Sequence, residues 1–100
     1  MNVAEFKKSL TEDAPNPNLS DPLKALWWDA KGNWDKAHQI AQKKEGNLNY
    51  DIVHAYLHRK EGDEWNAKYW YNRCHKNFSK VSLEEEWEEL AAYFNNQLPI

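Results

Sequence analysis

The chain has 100 residues, a net charge of −3 and one cysteine, with six Trp, five Tyr and three Phe among them. That length fits one domain, and the acidic balance excludes a dedicated nucleic-acid binder, which needs a strongly basic footprint. A lone Cys74 cannot form an intramolecular disulfide, and no apolar run reaches the length of a bilayer span, so a cytoplasmic protein with no membrane contact is expected.

Val3, Phe6 and Leu10 recur at helical spacing behind Asn2, a capping residue with Glu5 three positions on, and they predict a short N-terminal helix over residues 1–10. "TEDAPNPNLS" (11–20) holds two prolines and two asparagines and reads as a linker. The next helix should start with Asp21 as N-cap and Pro22 in the first helical position, where its missing N–H costs nothing. Leu23, Leu26, Trp27 and Ala30 give that helix its apolar side, and Gly32 ends it. Asn33 then caps a third helix, from Trp34 to about Glu45, carrying Ala37, Ile40 and Ala41.

After the break "EGNLN", a fourth helix from about Leu48 to Glu61 presents Ile52, Val53, Tyr56 and Leu57. Gly62 stops it, and Asp63 caps a fifth with Ala67, Trp70, Tyr71 and Cys74 on its inner side. The second hairpin thus spans 48–77 and the first 21–45. Ser82 and Glu85 form a capping-box pattern for a last helix over 82–98, striped by Leu83, Trp87, Leu90, Ala91 and Phe94. Its glutamates, "EEEWEE" (84–89), suit the positive end of the helix dipole and are expected to form a solvated face. No segment alternates with period two, so the fold class is all-α.

Shifted by thirty residues, the chain overlays Gly32 on Gly62, Asn33 on Asp63 and Ala37 on Ala67. Each copy reads as helix, glycine corner, capping residue and second helix, with a small residue early on its inner face. Through Ala25, Gly32, Ala37 and Ala41, then Ala55, Gly62, Ala67, Tyr71 and Cys74, the region 23–76 resembles the tetratricopeptide and Sel1-like helical repeats. The resemblance implies two stacked hairpins covered by a terminal capping helix. The period of thirty is shorter than the tetratricopeptide ~34, and two copies make no long groove. The stretch "VHAYLHRKEGD…NA.YWY" is also similar to a family of short uncharacterised proteins sharing this hairpin, a resemblance that implies no particular activity.

Two kinds of site are open. A protein- or peptide-interaction surface would use Arg59, Trp65, Tyr69 and Arg73, since Trp, Tyr and Arg dominate binding hot spots. On that reading the chain is an interaction module without cofactor, its partner unspecified, and a homodimer is compatible with the open end of a two-copy array. The rival is a small enzyme or metal-binding protein centred on His38, His54 and His58. His54 and His58, four apart, share a helix face as two metal-ligating imidazoles do. Asp51 beside His54, or Glu61 beside His58, could orient an imidazole for acid–base work. A site requires the three histidines to converge; a module requires the aromatics to be exposed.

Overall fold

The computed structural model describes residues 2–96, and the predicted end of the last helix, 97–98, lies outside them. Among the described residues every regular element is helical. These are α1 (Val3–Lys8), α2 (Asp21–Ala30), α3 (Trp34–Ala41), α4 (Leu48–Lys60), α5 (Glu64–Arg73) and α6 (Leu83–Asn95), with short 3-10 turns after α1 and α3.

The helix starts follow from side-chain chemistry. Asn2, Asn33, Asp63 and Ser82 each accept a hydrogen bond from the backbone N–H three residues on, satisfying a donor the helix itself leaves free. Helix α2 differs from expectation. Its N-cap is Ser20, with no side-chain cap bond, and Asp21 is its first residue. The Asp21 carboxylate instead accepts the Tyr50 hydroxyl at 2.7 Å, a tertiary bond that takes it away from capping. That phenol is pushed up to about 12, by burial first and then by its carboxylate partner.

Helix α2 pairs with α3, and α4 with α5. The two corners are alike in detail. Gly32 and Gly62 have φ of 85° and 88°, and each donates its N–H to the carbonyl three residues back, Asp29 or Arg59. The next residue, Asn33 or Asp63, donates to the carbonyl five back, Trp28 or His58. Positive φ explains the glycines, because a Cβ in this region collides with its own backbone. The equivalent alanines, Ala37 and Ala67, are both fully buried.

Helix α4 sits in the middle, touching α2, α3, α5 and α6. The main core gathers Phe6, Leu26, Trp27, Val53, Leu57, Trp87, Leu90 and Phe94, and Phe6 stacks on Trp87. The linker lies along this core. Leu19 packs against it, and Lys31 Nζ donates to the Leu10 and Glu12 carbonyls. Ala30, expected on the inner stripe, is exposed. Cys74, at the end of α5, is buried, and its thiol donates to the Trp70 and Tyr71 carbonyls.

The glutamate run is not uniformly solvated. Glu86 is fully buried and accepts from Arg59 Nη1 at 2.7 Å and Tyr71 Oη at 2.5 Å. Three residues after Leu83 and four before Leu90, it stands on the apolar stripe of α6 rather than on its outer face. A second buried carboxylate, Asp29, accepts from Lys60 Nζ at 2.9 Å and Tyr56 Oη at 3.1 Å.

A Cβ at Gly62 would meet nothing within 4 Å, so an alanine there is opposed by backbone conformation alone. Gly62→Ala is therefore expected to cost about 1–2 kcal/mol in chemical denaturation. Gly62→Asn should cost less, since asparagine tolerates the left-handed region better.

Candidate functional site

Where α3 crosses α4, the three histidines meet. His38 comes from the last turn of α3, while His54 and His58 come from successive turns of α4. Each offers a ring nitrogen, and these nitrogens all lie within 4.8 Å of one another. His38 Nε2 and His54 Nε2 are 3.1 Å apart. The i, i+4 spacing stacks His54 and His58 with centroids 4.8 Å apart, and His38 stands edge-on to both.

Aromatic neighbours hold the rings. Trp34, one turn before His38, stacks on it at 4.8 Å and 10°, and its indole N–H donates to the Leu57 carbonyl at 2.8 Å. That bond ties α3 to α4 at the level of the site. On the other side, Trp70 of α5 stacks on His54 at 4.0 Å and 21°. The sequence puts Trp70 on the inner side of α5 and gives Trp34 no place beyond the start of α3. Trp34 stands four residues before His38, but neither that spacing nor the helical stripe of Trp70 shows that both indoles flank imidazoles.

His58 Nδ1 lies 2.6 Å from Glu61 Oε2. A carboxylate only accepts, so Nδ1 carries the hydrogen and the lone pair of a neutral ring is left on Nε2. Asp51, the other carboxylate considered, does not pair with His54. It is buried and accepts from the Gly46 N–H at 3.2 Å, bracing the turn before α4. His54 is 3% exposed, and its Nδ1 is the one buried side-chain polar atom without a hydrogen-bond partner among the described residues.

The electrostatics favour neutral imidazoles. Burial, then the neighbouring His58 and His38 rings and Arg73, depress His54 to about 3. His38 is also lowered, by burial and then by His58, against smaller opposing pulls from Glu61, Asp35 and Glu45. The cluster keeps a way to solvent at His58, whose side chain is 11% exposed, and Glu61, at 36%.

The four residues expected on a partner surface do not stay together. Arg59 is turned inward to Glu86 and the Val81 carbonyl. Trp65 and Tyr69 are exposed, at 76% and 46%, and stack with centroids 6.4 Å apart. The Arg73 guanidinium lies over Tyr69 and Trp70. An open groove of about 500 Å³ lined by Leu10, Tyr56, Leu83, Trp87, Lys7 and Lys60, among others, contains no histidine. Its lysines are already paired, with Glu88 and Asp29.

No helix among the described residues is long and apolar enough to cross a membrane. Comparisons with protein-family models, curated proteins and solved structures find no match to the chain.

The depressed histidines set a pH dependence. Unfolded, these rings take up a proton near pH 6.5, while folded His54 stays neutral down to about 3. Between those values the unfolded chain binds more protons, so stability is complete above about 6.5 and declines as the pH falls, by up to about 1.4 kcal/mol per pH unit for one ring. Acid titration of the melting temperature should show this decline, and His54→Gln should flatten it.

Proposed function

We propose that this chain is a metal-binding protein in which His38, His54 and His58 hold one late first-row divalent ion such as Zn²⁺. The observation that carries this reading is the convergence of three imidazoles from two helices. Ligand nitrogens around a tetrahedral ion lie roughly 3.3 Å apart for Zn–N bonds near 2.0–2.1 Å. The 3.1 Å His38–His54 separation is already at that spacing. Glu61 on His58 Nδ1 supplies the outer carboxylate that orients a ligating histidine. His38 and His54, whose rings burial keeps neutral, bind an ion at pH 7 without first losing a proton.

The two glycine-cornered hairpins are read as copies of one tetratricopeptide-like unit, with α6 as their cap. Support comes from the shared turn bonds and φ values at Gly32 and Gly62. Histidines from the B helix of one unit and the A helix of the next then make the site a product of stacking. A reducing compartment such as the cytoplasm suits the single buried Cys74.

Zinc at a hundred times its Kd is expected to stabilise the fold by about 2.7 kcal/mol and raise Tm by roughly 10 °C or more. His38→Ala and His58→Ala should abolish the shift, and Glu61→Gln should weaken binding by about 10–100-fold while leaving the fold intact. Unmoved histidine ring signals in NMR and an unchanged Tm at stoichiometric zinc or nickel would overturn the reading.

A second reading, as a protein- or peptide-interaction module, is favoured by Trp65. An indole 76% exposed and stacked on a half-exposed Tyr69 is unused by the core. Trp65→Ala with Tyr69→Ala should then remove captured partners in a pull-down while leaving Tm nearly unchanged. Retention of every partner by this double variant counts against it.

A further inference from the structure

Three nitrogen ligands leave a tetrahedral ion one open position, and what could fill it depends on the groups nearest the cluster. Helix α5 forms one wall. His54 stacks on Trp70 at 4.0 Å, and the Arg73 guanidinium carbon lies 4.8 Å from the centroid of the same indole. Together these separations keep the guanidinium within about 9 Å of the His54 ring.

Arg73 is exposed, and no carboxylate pairs with it among the described residues; its contacts are the Tyr69 hydroxyl at 3.4 Å and the two aromatic faces. Other cations near α4 are spoken for: Arg59 by Glu86 and Lys60 by Asp29. Arg73 is thus a permanent charge held on rings, with its donors available. The Trp70 indole links its guanidinium to the His54 ring in this wall. The carboxylates that face His38 are Glu61, at the end of α4, Asp35 and Glu45, and Asp63 lies beside His58. Glu61 is engaged by His58. An ion on three neutral imidazoles keeps its double charge, which adds to that of Arg73 on the α5 side of the loaded site.

We propose that the loaded site binds a small oxyanion, a phosphate or carboxylate group, with one oxygen on the metal's open position and another on the Arg73 guanidinium. This rests on the metal reading above and adds the ligand class and the residue that selects it. Guanidinium is suited to the role because its planar fork matches both anions and cannot lose its charge. Contacts with Tyr69 and Trp70 restrain that side chain, so less is lost in ordering it.

Cobalt(II) tests the two steps separately, because its visible bands report coordination without any assay of activity. Cobalt is first titrated into the full chain, and inorganic phosphate and acetate are then added in separate arms to the loaded protein. Expected are bands of a four-coordinate ion that shift with at least one anion; which arm is tighter assigns the phosphoryl or the carboxylate group. Arg73→Met should bind cobalt as the parent does but hold the anion about tenfold or more weaker, given what a charged hydrogen bond is worth. Arg73→Lys should recover part of that loss. Cobalt bands that ignore both anions, or an Arg73→Met chain as responsive as the parent, would overturn the oxyanion proposal and leave the metal site standing. Absence of cobalt bands would remove both.

Discussion

Helix α4 is buried around its whole circumference from Tyr50 to Leu57, and the rest of the molecule is arranged to meet that constraint. A helix enclosed on all sides has no outward face for its polar residues. Asp51 and His54 therefore lie inside, where a polar group without a partner is costly. Asp51 finds a backbone N–H. His54 meets another imidazole on one nitrogen and nothing on the other. The histidine cluster is the place where enclosure of α4 is not fully compensated by hydrogen bonds within the chain, and that is the physical basis for reading it as a site.

The same helix is fixed in place by two buried carboxylates reaching it from opposite partners. Asp29 of α2 is met by Lys60 and Tyr56, and Glu86 of α6 by Arg59 and Tyr71. Each joins a cation and a phenol, and the phenols are strongly shifted upward, first by burial and then by the carboxylate beside them. Removing one member would strand the others, so such junctions enforce one arrangement even where their net contribution to stability is small. With α2 and α6 held, α3 and α5 have fixed seats on α4, and the ring stacks from Trp34 and Trp70 acquire defined positions.

Much of the architecture was legible because local signals agreed. Capping residues at Asn2, Asn33, Asp63 and Ser82, glycines at both corners and the stripe of α6 all belong to elements found where they were expected. Asp21 and Glu86 were misread for a common reason: each makes a bond to a residue distant in sequence, Tyr50 or Arg59, that no local rule contains. Arg59 was misplaced by the same bond, seen from its other end. For the site, the i, i+4 pair on α4 was visible and His38 could be named, but its approach depends on how α3 crosses α4. The role of Trp70 was hidden more deeply, since an aromatic at helical spacing reads as core whether it packs on leucine or on imidazole.

Cys74 has a consequence of another kind. The residue is 6% exposed, and its thiol donates to two carbonyls of its own helix and is pushed upward, chiefly by burial. Thiolate, the reactive form, is thus scarce as well as shielded. As the chain's one sulfhydryl, it reacts with an alkylating reagent only as fast as the end of α5 opens. Labelling kinetics at this single atom would measure excursions of the wall that carries Trp70 and Arg73, without a reporter being added to the protein.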